Sequence, residues 1–155
     1  GHSTPIHITL IDPFKLQEDY STDDLVSWIE KDVLPQGLGF YGHIENFDVF
    51  GRRTLYGNVI ANDNWTKLRD EIAKAILKVC PDCRLSCCIG KDKQSFQLFQ
   101  LFEPHATVAN RDIPEGVIDD ALKVMNERNL VADFPVDNIT IFKSNREKWE
   151  VEIGR

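Results

Sequence analysis

At 155 residues the chain has room for one domain with a real hydrophobic core, and 42% apolar with 28% charged residues is the ordinary balance of a soluble globular protein. The net charge of −7 excludes a protein that coats long nucleic acid by general attraction, since that mode relies on many lysine and arginine contacts to phosphate, but leaves open a small nucleotide or RNA end in a local basic pocket. No apolar run approaches the length of a membrane span and no basic-then-apolar signal opens the chain, so a cytoplasmic protein without a membrane partner is expected.

The chain begins Gly1-His2-Ser3 without a methionine, which reads as an expression scar or as a piece cut from something longer. Residues 5–11 predict the first strand, stopped by Asp12-Pro13. Alternate residues of a strand point to the same side, so His7, Thr9 and Ile11 share one face and Ile6, Ile8 and Leu10 the other. A helix is expected from Ser21 to Leu34, with Ser21 and Asp24 as a capping pair and Leu25, Trp28, Ile29 and Val33 on its buried stripe. Pro35 and Gly37-Leu38-Gly39 end it.

Phe40–Phe50 and Thr54–Ala61 read as two strands joined by a hairpin turn at Gly51-Arg52-Arg53. His43 lies in the first of them without a threonine two places on, and is expected to be satisfied or exposed rather than catalytic. Asn62 or Asp63 caps a second helix that runs to Val79, with Trp65, Leu68, Ile72, Ile76 and Val79 inward. Cys80, Cys83, Cys87 and Cys88 follow. Cys80-Pro81-Asp82-Cys83 has the spacing of one zinc knuckle, but adjacent cysteines make awkward co-ligands and there is no second Cys-x-x-Cys, so reduced, partly buried thiols and no metal are expected.

Residues 82–93 read only as a strand or loop, and Ser95–Phe102 as a central strand with apolar residues on both faces. Then comes Glu103-Pro104-His105-Ala106-Thr107-Val108-Ala109-Asn110, which repeats the first strand's pattern: His105, Thr107 and Ala109 on one face, Ala106 and Val108 behind. Asp112 caps a third helix, with Pro114 in its first turn and Val117, Ile118, Ala121, Leu122 and Met125 as its core stripe. Asn138–Phe142 and Lys148–Ile153 close the chain as two strands. The order of elements predicts a single α+β domain over residues 1–155, two-lobed, with antiparallel-rich sheets flanked by helices, one His-x-Thr strand in each lobe and a cleft between.

Each motif sets an imidazole beside a hydroxyl on one surface of a strand. Facing one groove, the two would supply a base, an acid and two donors for phosphoryl oxygens, which is what making or breaking a phosphodiester needs and requires no metal or cofactor. A single His-x-Thr carries little information; two of them, each in an apolar strand, carry much more.

These paired motifs resemble those of the two-histidine (2H) phosphoesterases, the group that includes the bacterial 2′-5′ RNA ligase-like proteins and cyclic nucleotide phosphodiesterases. His7-Ile8-Thr9-Leu10 with Asp12-Pro13-Phe14 is similar to their first motif and the loop after it, and Pro104–Ala109 to their second. Family members usually carry a strand and a helix ahead of the first motif, a departure here. The resemblance implies that His7 and His105 exchange protons, that Thr9 and Thr107 hold the phosphoryl oxygens, and that the substrate is an RNA end, an oligoribonucleotide or a cyclic nucleotide, handled by a monomer. It does not say which histidine is acid and which base, or whether the enzyme hydrolyses or ligates. For substrate contacts, Phe14, Tyr41, Phe102 and Phe142 are candidate base platforms and Lys15 and Arg111 candidate phosphate ligands, each with an ordinary alternative as core or surface residue. Competing readings are a non-catalytic nucleotide- or RNA-binding module using the same cleft, and a zinc-binding interaction domain built on the cysteines.

Overall fold

The computed structural model describes residues 7–16, 19–33, 39–50, 54–88, 102–110, 115–129, 131–142 and 148–152. Its elements are β1 (His7–Ile8), α1 (Thr22–Trp28), β2 (Tyr41–Phe50), β3 (Thr54–Val59), α2 (Asp63–Val79), β4 (His105–Asn110), α3 (Glu115–Glu127), β5 (Val131–Pro135), β6 (Asn138–Phe142) and β7 (Lys148–Glu152). The architecture is α+β, as the element order implies. The chain divides into two compact units, one made of Gly1–Thr9, Tyr41–Ala61 and Glu103–Phe134, the other of Leu10–Phe40, Asn62–Phe102 and Pro135–Arg155. The expected central strand at Ser95–Phe102 lies outside the described residues except for Phe102.

The first unit is a five-stranded sheet in the order β1-β4-β3-β2-β5, with α3 against β2. β3 shows why the sheet has two unlike faces. Leu55, Gly57 and Val59 are buried while Thr54, Tyr56 and Asn58 between them are half-buried, the alternation of a strand with one side in the core. Gly42 on β2 serves close packing: a Cβ there would fall 2.3 Å from Cζ of Phe134, so only a bare Cα lets that ring lie across the strand. β2 also carries a bulge, since the register steps from Ile44↔Val59 to Phe47↔Gly57 with one extra residue on β2. Asn46, at φ 58°, takes the left-handed conformation that asparagine tolerates. The side chain of Asn126 from α3 clasps the backbone beside it: Oδ1 accepts from Phe47 N–H at 2.8 Å and Nδ2 donates to Phe47 O at 3.2 Å.

The second unit packs α1 and a following π-helical turn, Ile29–Val33, on α2. Ser21 caps α1, its Oγ accepting from the amides of Asp23 and Asp24 at 3.0 and 3.4 Å. Asn62 caps α2 in the same way, accepting from Asn64 and Trp65. Where they pack, Leu25, Ile29 and Val33 on one side and Trp65, Leu68, Ile72, Ile76 and Val79 on α2 are all buried. Trp28, expected in the core stripe, is only half-buried, with the ammonium groups of Lys31 and Lys78 5.5 and 5.1 Å from its ring centroid. The wide turn explains this: Leu25, Ile29 and Val33 hold the interior at four-residue steps, and Trp28 falls beside that line. Arg69, 3% exposed, pairs with Asp70 through Nε at 2.7 Å and lies over the ring of Phe102 at 5.0 Å. β6 and β7 pair as an antiparallel hairpin with Ile139 buried.

Two corrections concern the first unit. Val117, expected in the core stripe of α3, is 51% exposed, because α3 meets β2 through Asn126 further along the helix. β5 was not expected at all: four of its five residues are exposed, so it lacks the alternation that marks a half-buried strand.

Filling the space over Gly42 should be costly. Gly42→Ala should lose about 1–3 kcal/mol of stability in chemical denaturation, the usual cost of overpacking, and the loss should shrink in a Phe134→Leu background; equal losses in both backgrounds would show that the ring is not the obstacle. The edge between β2 and β5 should be pH-sensitive. His43 Nδ1 lies 2.6 Å from Asp133 Oδ1 and its Nε2 3.3 Å from Glu45 Oε1, and the hydrogen bond to Asp133, then that to Glu45, raises the imidazole above the ordinary histidine value of 6.5. A raised histidine contributes stability that is fully present below pH 6.5 and is lost as pH climbs through the raised value. Proton NMR titration of His43 should give a midpoint above 6.5 that falls back in Asp133→Asn, and the stability gap between the two proteins should close on going alkaline.

Candidate active site

Both His-x-Thr motifs belong to the first unit: β4 carries the whole of the second, while β1 carries His7 and Ile8 and ends before Thr9, which is exposed, short of the strand expected over residues 5–11. This corrects the expectation of one motif strand per lobe: β1 pairs directly with β4, antiparallel, in the register His7↔Thr107 and Ile8↔Ala106. Directly opposed residues of an antiparallel pair project from the same face, and residues two apart on one strand share it. His7, Thr107 and His105 therefore share one face. A diagonal pair such as His7 and His105 sits about 7–8 Å apart along the sheet. His105 is exposed, and His7 and Thr107 are half-buried, so this is the open face. Behind it Ala106 is 3% exposed, which anchors the strand on the core side.

β3 completes the floor. It pairs with β4 in the register Tyr56↔Thr107, Gly57↔Ala106 and Asn58↔His105. The register slips by one residue between Leu55 and Tyr56, and β4 holds the extra residue. The slip brings Tyr56 and Asn58 into phase with Thr107 and His105, which is how bulges commonly re-aim side chains. β2 then sets Asp48 opposite Tyr56. One row across the sheet reads His7, Thr107, Tyr56, Asp48. The Tyr56 ring centroid is 4.9 Å from that of His105, with the planes tilted by 49°. Burial raises the Tyr56 phenol above its ordinary value of 10.0, and the carboxylates of Asp48 and Glu103 push the same way, so its hydroxyl stays protonated through neutral pH. Sequence reading missed Tyr56 and Asn58. Their alternation within Thr54–Val59 was visible, but the strand they would stand beside was not.

The other described candidates divide between the units, Tyr41 in the first and Phe14, Lys15, Phe102 and Phe142 in the second. Tyr41 opens β2, on the same alternation as His43, and is 71% exposed. Phe14 is half-buried and Lys15 exposed, both in the second unit. The loop they occupy is pinned there: Cys83 Sγ donates to Lys15 O at 3.4 Å, and Ser86 Oγ donates to Asp12 at 2.8 Å. Phe142 ends β6, 51% exposed. Phe102 is 7% exposed with the Arg69 guanidinium over its ring, so its stacking face is already taken and it is a core residue rather than a base platform. Arg111 lies outside the described residues.

The four cysteines are free thiols, with Cys80, Cys83 and Cys87 buried. Burial pushes the Cys83 thiol up to about 12 and that of Cys87 up to about 11. Among the described residues no three histidine, cysteine, aspartate or glutamate side chains converge as metal ligands. Nor, among those residues, is any helix long and apolar enough to cross a membrane.

The family model described as the 2′-5′ RNA ligase superfamily matches residues 2–148, both motifs and nearly all the chain between and around them. No individual curated protein matches the chain. A match over that length makes the chain a member of the 2′-5′ RNA ligase superfamily.

Proposed function

We propose that this protein is a metal-independent phosphodiesterase of RNA ends or nucleotides, opening a 2′-5′ linkage or a 2′,3′-cyclic phosphate by two-histidine general acid–base catalysis. The observation that carries the reading is the register His7↔Thr107, which supports both imidazoles and a threonine hydroxyl acting on one phosphoryl group from one open face.

In hydrolysis of a cyclic phosphate, one imidazole takes a proton from water as the water oxygen bonds to phosphorus. The other gives a proton to the ribose oxygen as its bond to phosphorus breaks. In opening a 2′-5′ linkage, the neighbouring 3′-hydroxyl replaces water and the departing 5′-oxygen takes the proton. One ring must start neutral and the other protonated, so the reaction runs in either direction, ligation included. Thr9 and Thr107 donate to the non-bridging oxygens as charge gathers there. Tyr41, Phe14 and Phe142 remain the proposed base platforms, and Lys15 and Arg111 the proposed cations for phosphate. The enzyme would work as a cytoplasmic monomer without a cofactor.

A turnover panel in EDTA tests this, comparing 2′-5′ with 3′-5′ oligoadenylates and 2′,3′-cyclic with 3′,5′-cyclic nucleotides. At least one 2′-5′ or 2′,3′-cyclic substrate should turn over with a bell-shaped pH dependence. His7→Ala and His105→Ala should each lower the rate by about 10²–10⁴-fold, the usual worth of a positioned acid or base, while circular dichroism stays native. Undiminished turnover in both variants, or tight nucleotide binding with no turnover by the unmutated protein, would overturn the proposal.

A further inference from the structure

An imidazole on an open sheet face has a problem of aim. Its terminal torsion is broad and roughly two-fold, so nothing intrinsic holds either nitrogen on target. Catalytic histidines are commonly aimed by a hydrogen bond from a third group, which also dictates which nitrogen carries the proton. His105 is exposed, and the ring of Tyr56 lies against its own.

Tyr56 is well built for holding something else still. It lies on β3, which is paired on both sides, with β2 and β4. Its cross-strand partners are Thr107 and Asp48. It is half-buried, and its ring meets that of His105 at 4.9 Å between centroids, within the range of a favourable tilted aromatic contact. The register slip in β4 is what sets it there.

We propose that Tyr56 is a positioning residue for His105: its ring forms a wall against one side of the imidazole and confines it to the orientation that serves the shared phosphoryl group. This rests on the two-histidine reading above. An aromatic wall differs from a carboxylate partner in one respect. It restrains the plane of the ring and does not itself fix the tautomer.

The test pairs a spectroscopic and a kinetic measurement on the full chain, with Tyr56→Phe, Tyr56→Ala and Tyr56→Leu. The carbon-bound ring protons of His105, assigned with His105→Ala, should move in the NMR spectrum of Tyr56→Ala and Tyr56→Leu as the ring-current shift is lost, and stay in place in Tyr56→Phe. On a substrate the unmutated protein turns over, kcat should fall by up to about 10²-fold in the Ala and Leu variants, the scale of a small misplacement, with KM little changed. Tyr56→Phe should restore it. The leucine variant keeps bulk in the sheet should alanine unfold it. Unmoved His105 resonances would overturn the proposal. So would a rise in KM at constant kcat, which marks a substrate platform, or a phenylalanine variant as impaired as alanine, which marks a hydroxyl role. If no substrate turns over, the two-histidine reading fails by itself, and the NMR arm still decides whether Tyr56 holds the ring.

Discussion

The period of two along a β-strand is the constraint on which the rest of this molecule depends. Two adjacent rows cross the sheet. One reads His7, Thr107, Tyr56, Asp48 and the next Ile8, Ala106, Gly57, Phe47. They point to opposite faces, the first open and polar, the second toward the core. A slip of one residue in either motif strand would exchange them, sending an imidazole inward and an aliphatic side chain outward. The core row guards against the slip: Ala106 and Leu55 are almost fully buried, and a Cβ on Gly57 would approach Cγ2 of Ile44 to 3.1 Å. The apolar side of the sheet thus fixes the chemistry of its polar side.

Two bulges keep the rows in line over three strands. One lies in β2 around Asn46, the other in β4 beside the second motif. Each adds a residue that regular pairing would not accommodate, and between them Tyr56 falls beside Thr107 and Asp48 beside Tyr56. The Asn126 side chain serves both the amide and the carbonyl of Phe47 at the β2 bulge, which spares the core two unpaired backbone groups.

The sequence was informative where local chemistry decides the structure. Ser21 and Asn62 announce their helices because their side chains bond the amides two and three residues on, which is a local event. The second His-x-Thr strand was legible as a strand with a polar and an apolar face, whereas the first, expected over residues 5–11, ends at Ile8. That they would be neighbours was not legible, because strand order depends on contacts between distant segments. The same blindness hid Tyr56, which became meaningful only once β3 lay beside β4. His43, expected to be satisfied or exposed, is satisfied between Asp133 and Glu45; strand alternation puts Glu45 on its face, but Asp133, ninety residues on, could not be picked from spacing. Trp28 misled because helical periodicity assumes an unbroken α-helix, and the chain widens into a π turn just after it. Phe102 misled because an aromatic beside a motif strand reads the same whether it is a platform or core, and here it is 7% exposed with the Arg69 guanidinium over its ring.

The Cys-x-x-Cys at the end of α2 has one more consequence. Thiols in that spacing become reactive at the start of a helix, where the backbone dipole favours a thiolate. Here Cys80 stands at the other end of its helix, and burial lifts the Cys83 thiol. Cys83 is thus a quiet sulfur, 8% exposed, with its weak donor spent on the carbonyl of Lys15. An alkylating reagent would meet it chiefly in moments of local opening, so its rate of labelling clocks those openings instead of the nucleophilicity of sulfur.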